Sequence, residues 1–263
     1  MTEPDTPPAA MEDNRLQPGF LRAIEAALEA EDEGEVRALV KPLHPADIAD
    51  LFEQLSPDSR ATLATALGSD LNAEVLAELN DWVRDEVVGE LAPDRLAEAV
   101  AEMDTDDAVA LIEELEPEDQ EAVLDELPAA DRVAIETALS YPEESAGRLM
   151  QRELIAVPEH WTIGQVIDFL RAEGNDITDF WEIFVVSPDH RPVGTMRLSW
   201  LLTSPRWLAV SDVMQRQQTL IPVDMDQEEV ALRFQKYALI SAAVVDREGR
   251  LAGMITADDI VHI

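Results

Sequence analysis

Cysteine is absent from this chain, which removes disulfides, thiolate catalysis and cysteine-ligated zinc together, and suits a reducing compartment. Glycine is scarce, 10 in 263 residues, and falls in isolated turns. There is accordingly no GxxxxGKS/T phosphate loop, no GxGxxG and no GxSxG nucleophile turn. The four histidines, His44, His160, His190 and His262, form no i,i+4 pair and no HExxH, so a zinc hydrolase is unsupported. No apolar run approaches the ~18 residues that cross a bilayer, and the start lacks the basic-then-apolar pattern of a signal peptide. Positive charge is also in short supply: 19 Lys and Arg stand against 56 Asp and Glu, a net charge of −37. A polyanion would be repelled, which excludes nucleic acid as a partner. With carboxylates everywhere, paired acids carry no catalytic information, and an enzyme is not expected.

The acidity is lopsided. Residues 1–140 hold 37 acidic and 8 basic side chains, the remainder 19 and 11. Such charge serves solubility or a salty cytoplasm, and it also makes a surface whose self-repulsion cations would relieve. Residues 1–19 are acidic and Pro-rich, predicting a disordered tail. From His44 the chain falls into eight blocks of twelve, each ending in Leu or Met: Leu55, Leu67, Leu79, Leu91, Met103, Leu115, Leu127 and Leu139. Block openings such as Ser56-Pro57-Asp58 and Glu116-Pro117-Glu118 supply N-cap oxygens and a first-turn proline. Apolar residues at three- and four-residue steps, as in Leu96, Ala99, Val100 and Met103, give each helix one stripe to bury. Helices this short must stack to be stable, so residues 20–140 are expected to form an all-α superhelical solenoid, with Trp82 and Met103 as core fillings.

The second half repeats itself. Leu149-Met-Gln-Arg152 with Pro158 recurs as Val213-Met-Gln-Arg216 with Pro222, 64 residues on, and Val185-Val186 before Gly194 is echoed by Val244-Val245 before Gly253 at an offset of 59. Each copy reads as a strand (154–157; 219–223), a helix (162–172; 227–237), two strands around a polar turn (187–191; 246–249) and a closing helix. This β-α-β-β-α unit, written twice, resembles the tandem CBS domain, an α/β (α+β) pair, with one copy over 141–209 and the other over 210–263.

The junction, Tyr141-Pro-Glu-Glu-Ser-Ala-Gly-Arg-Leu-Met150, completes a larger pattern: an acidic helical domain, this linker and two CBS units. It resembles the cytosolic region of MgtE-type magnesium channels and transporters over residues 20–263. The resemblance implies a regulatory region on the cytoplasmic face of the inner membrane, homodimeric through its CBS domains. It also implies a connecting helix and a transmembrane pore domain beyond Ile263, inside what should be a continuing helix. Mg2+ would bind carboxylates and hold the assembly compact with the pore shut. Carried over by position, the ligands are Glu74, Asp106, Asp107, Asp226, Glu228, Asp258 and Asp259. Mg2+ takes oxygen ligands and keeps several waters, so one or two direct carboxylates suffice. Plainer readings stand beside this: Glu74, Asp106 and Asp107 as solvated helix faces, Asp226 as an N-cap with Glu229 at the capping-box position, and Asp259 as helix-start chemistry. Ala110, Ala238 and His262 replace carboxylates of the family pattern, implying fewer or relocated ion sites.

CBS pairs also hold adenine nucleotides on a Gly-x-x-Ser/Thr-x-x-Asp motif, and Gly253-Met-Ile-Thr256-Ala-Asp-Asp259 keeps it. The first copy has Arg197 and Trp200 at the hydroxyl and carboxylate positions, with Trp200 expected as packing. Thr256 and Asp259 therefore leave room for weak nucleotide binding, in competition with the ion. Alternatives to the Mg2+ sensor are a nucleotide-sensing CBS adaptor with a protein-binding solenoid and a purely structural interaction module.

Overall fold

The computed structural model describes residues 11–12, 15–89, 91–173, 180–261 and 263. Two compact units divide the chain: Met1–Met103 with Leu111–Pro128, and Asp104–Ala110 with Ala129–Ile263.

In the first unit, residues 15–19, counted as tail by composition, are structured. Strand β1 (Met11–Glu12) pairs with β2 (Arg15–Leu16), Leu16 is buried, and α1 (Pro18–Glu29) follows at once. After α2 (Glu33–Val40) come α3 (Pro45–Gln54), α4 (Pro57–Leu67), α5 (Ala73–Glu78), α6 (Asp81–Gly89), α7 (Pro93–Val100), α8 (Thr105–Glu114) and α9 (Pro117–Glu126), with the start of α8 and all of α10 (Ala129–Leu139) in the second unit. Each twelve-residue block from His44 thus carries one helix, as the periodicity predicts. The caps are local: Ser56 accepts from the Ser59 amide, Asn72 from Val75 and Asn80 from Val83, while Pro45, Pro57, Pro93 and Pro117 occupy first turns. Helices pack two apart in sequence, α3 on α5, α4 on α6 and α7 on α9, which is the superhelical solution to burying one stripe per short helix. Of the block-ending residues, Leu55, Leu67, Leu79 and Leu127 are buried and the other four half-buried.

Trp82 corrects the expectation of a core filling. It is 52% exposed and lies under the guanidinium of Arg60, 4.2 Å from the ring centroid. Arg60 is the buried partner, donating to the Phe52 carbonyl at 2.8 Å and to Glu86 at 2.6 Å. A cation held against an indole face uses the ring without needing it inside. Met103 is half-buried.

The second unit holds two three-stranded sheets of one topology. The first has β3 (Ala156–Pro158) parallel to β4 (Glu182–Val186), which is antiparallel to β5 (Pro192–Arg197); the second has β6 (Leu220–Pro222), β7 (Ser241–Val245) and β8 (Leu251–Thr256) in the same order. Helix α12 (Ile163–Glu173) and α15 (Gln227–Tyr237) make the parallel crossovers, and α13 (Leu198–Thr203) closes the first copy. Short helices α11 (Ala146–Leu149) and α14 (Val210–Val213) precede each repeat. The second copy has no closing helix among the described residues: residues 257–261 form a bend and a turn instead of the continuing helix expected there.

The repeats exchange their leading segments. Gly253 pairs with Val244 in the second sheet, yet what leaves no room for a Cβ there is the Gln151 carbonyl at 2.7 Å and Met150 Sδ at 2.8 Å, from the first copy's Met-Gln-Arg motif. Gly194 meets the Gln215 carbonyl at 2.7 Å and Met214 Sδ at 2.9 Å in the same way. Bridges Gln151 to Met254 and Thr195 to Gln215 fix the crossing. Ala146 and Met150 accordingly enter the core of the second sheet, Val210 and Met214 that of the first, and Phe184, Val186, Ala243, Leu251 and Met254 form a core shared by both. Within the linker motif, Gly147 is required because the Tyr141 ring occupies the space a Cβ would take.

Candidate metal site

The second unit brings a carboxylate set together from three segments: the start of α8, the stretch after the Gln151 bridge, and the turn after β8. Thr105, 5% exposed, opens α8 and is bound twice by Glu153, its amide donating to Oε2 at 3.1 Å and its hydroxyl to Oε1 at 2.8 Å. After β8 the chain turns on itself: the Thr256 amide donates to Asp259 Oδ2 at 2.7 Å, the Thr256 hydroxyl donates to Asp258, and the Gln151 side-chain amide reaches Asp259 Oδ2 at 3.5 Å.

These segments bring Asp104 within the charge of Asp258 and Asp106 within that of Asp259, with Asp107 next to Asp106 in the chain. Burial, then the charges of Asp259 and Asp107, push Asp106 up to about 9. Burial followed by Asp258 also raises Asp259, against the opposing hydrogen bonds from Thr256 and Gln151. Asp104 is raised by burial, Glu153 and Asp258. Asp106 Oδ1 is buried with no hydrogen-bond partner. An orphaned buried carboxylate oxygen among other anions is the donor chemistry a hard divalent cation takes. Among the described residues no group of three or more His, Cys, Asp or Glu side chains is placed to hold a metal ion by itself.

Of the residues predicted from sequence, Asp106, Asp258 and Asp259 come together, and Asp107 acts on Asp106 as its chain neighbour. Glu74 lies in the other unit, exposed in the first turn of α5. Asp226 is the exposed N-cap of α15, accepting from the Glu228 amide at 2.9 Å; Glu229 pairs with Arg233 at 2.8 Å rather than completing a capping box. Glu228 is exposed beside it. Asp226 and Glu228 are not among the charges that act on Asp104, Asp106 or Asp259. Ala110 is exposed on α8, Ala238 is the left-handed C-cap of α15, and His262 lies outside the described residues. Sequence reasoning missed Asp104, Gln151 and Glu153. The repeat itself held a signal for Gln151, which belongs to the motif that crosses between copies.

The other face of the pair is open. A cavity of about 910 Å3 is lined by Arg197, Arg233, Lys236 and Tyr237 with Glu182 and Gln217, among others, and neither Thr256 nor Asp259 lines it. Arg197 holds in the first sheet the register position that Thr256 holds in the second, opposite Glu182 and Ser241 respectively. Trp200 is half-buried against the first core with the Arg197 guanidinium 5.6 Å from its ring, which agrees with a packing role.

Comparison with known proteins joins these observations. The family profile described as the MgtE intracellular N domain matches residues 43–144, and the CBS domain profile matches residues 210–263. The chain is similar to the magnesium transporter MgtE of Thermus thermophilus, 35% identical over 129 residues, and to that of Bacillus subtilis, 26% over 130 residues; each alignment covers 49% of this chain and 29% of the relative. Among solved structures, the soluble part of a magnesium transporter shares the fold, with a TM-score of 0.79 at 23% identity over 92% of this chain and 96% of that one. The cytosolic domain of the Mg2+ channel MgtE, solved in complex with ATP, superposes with a TM-score of 0.84 at 31% identity, covering 92% of this chain and 99% of that one. With near-complete coverage of that domain and the N-domain and CBS profiles in the same order, this chain belongs to the MgtE family.

Proposed function

We propose that the chain is a non-catalytic regulatory region that senses Mg2+ on the cytoplasmic face of a membrane and keeps an MgtE-type pore domain shut while the ion is abundant. The observation that carries this reading is the carboxylate set around Asp106 and Asp259. Groups from distant segments are desolvated together, and one buried oxygen has no protein donor. Such a set is costly as free anions, and either protons or a cation must relieve it. When bound, Mg2+ supplies compensating charge and a hydrated shell that accepts several carboxylates at once. Asp106 and Asp259 would hold it, with Asp107 and Asp258 adding negative charge beside them. The Thr256 amide and Gln151 orient Asp259 for this. Glu74, Asp226 and Glu228 are proposed as further ligands on family resemblance, each being exposed. The −29 charge of residues 1–140 supplies the repulsion that opens the region when the ion leaves, whereas the −8 of the rest permits CBS-mediated dimers.

Small-angle scattering of the full chain tests this. Millimolar MgCl2 is expected to give a dimer of smaller radius than NaCl at equal ionic strength, and Asp259→Ala to lose the difference. Identical curves in the two salts would reduce the effect to screening and remove the sensor reading.

The cavity of about 910 Å3 supports a second ligand, an adenine nucleotide, because Lys236 offers positive charge to phosphates beside the ion-paired Arg197 and Arg233, with the Tyr237 ring alongside. That the similar MgtE domain was solved with ATP adds to this. Calorimetry should find ATP binding lost in Lys236→Glu and kept in Asp259→Ala. The reverse result would return the nucleotide to Thr256 and Asp259.

A further inference from the structure

The first turn of α8 is fastened by a side chain from elsewhere in the chain. A helix start leaves amide donors without intrahelical partners, and a residue just before the helix usually supplies the acceptor. For α8 the acceptor of the Thr105 amide is Glu153, 48 positions away, and the same carboxylate takes the Thr105 hydroxyl. Glu153 is itself oriented by the Arg152 amide, which donates to Oε2 at 2.9 Å. Two residues earlier, Gln151 forms the bridge to Met254 and donates its side-chain amide to Asp259. One short segment, residues 151–153, therefore grips both sides of the carboxylate set: Gln151 holds Asp259, and Glu153 holds the helix turn that carries Asp106.

We propose that Glu153 is the positioning residue of this ion site, holding the α8 start in place so that Asp106 and Asp259 face one another in spite of their repulsion. The inference rests on the Mg2+ reading above. A carboxylate suits the task because it accepts three donors and meets the positive end of a helix dipole, which offsets the charge it adds beside Asp104. An amide would turn an NH2 toward Thr105 donors. The other repeat supplies the contrast: 64 positions on, the equivalent residue is the neutral Gln217, and it lines the open cavity.

The test uses the full chain, with Mg2+ affinity read by calorimetry and hydrogen exchange of residues 105–107 followed without Mg2+. Glu153→Gln should weaken Mg2+ binding by about 10- to 100-fold, the range typical when a residue that orients a ligand is lost, and should speed exchange at those amides. Thr105→Val should weaken binding less, and Thr105→Ser should keep it. Unchanged Mg2+ affinity in Glu153→Gln, with faster exchange, would make Glu153 a helix cap alone and overturn the proposal. Absence of Mg2+ binding by the wild-type chain would overturn the ion site and this role together, so the two failures are distinguishable.

Discussion

Adding Mg2+ to about a hundred times its dissociation constant is expected to raise the melting temperature of the CBS-containing unit by roughly 5–10 °C. A ligand bound only by the folded form stabilises it by about 2.7 kcal/mol at that excess, and each kcal/mol moves the midpoint of a unit this size by about 2–4 °C. The gain should be larger at pH 8 than at pH 5. Asp106, pushed up to about 9, and Asp259, also raised, bind protons that the ion must displace, so affinity rises as protons become scarce. Scanning calorimetry in MgCl2 and in NaCl of equal ionic strength reads this directly. Equal shifts in the two salts, or a gain that shrinks as pH rises, would reject the site.

Asp106→Asn should stabilise the Mg2+-free chain by about 1–3 kcal/mol at pH 8 while removing most of the Mg2+ gain. The folded chain binds the Asp106 proton far more tightly than the unfolded chain, with a pKa of about 9 against 3.8. Stability from this residue is therefore complete below about pH 4 and declines as pH climbs toward 9. Asparagine has no such dependence, so the advantage of the variant should be near zero at pH 4 and widest above pH 8. At about 1.4 kcal/mol per pKa unit the full shift would be worth about 7 kcal/mol, but Asp106 is half-buried rather than fully enclosed and solvent screens part of the effect, which leaves the smaller figure. Denaturant unfolding from pH 5 to 8.5 checks it. A constant offset across pH, or a destabilised variant, would mean that Asp106 acts as a structural partner.

Much of the architecture was legible in the chain because it is encoded locally. Twelve-residue blocks with Ser, Asn or Pro at their openings set eight helices, since caps and stripes are decided within one or two turns. The repeated Val-Val pairs ahead of Gly194 and Gly253 marked the antiparallel pairs of both sheets. Where local pattern met a competing partner it misled. Trp82 looked like core and lies exposed beneath a buried arginine. A helix was expected after β8, but Thr256 donates to both Asp258 and Asp259 and the chain turns instead.

The candidate site was legible only in part. Asp106, Asp107, Asp258 and Asp259 were chosen from resemblance, while Asp104 and Glu153 gave no signal among 56 acidic residues. Composition, the twelve-residue period and the duplicated unit by themselves determined an acidic helical solenoid ahead of a twice-written β-α-β-β-α unit, because charge, capping and alternation act over a few residues. Only the tertiary structure decided that each Met-Gln-Arg segment crosses to the other repeat, and that Glu153 reaches the helix opened by Thr105. It alone separated the acidic cluster from the basic cavity. The reason is that burial and the proximity of charges depend on segments as many as 153 residues apart, as Asp106 and Asp259 are, and no short-range pattern records that distance.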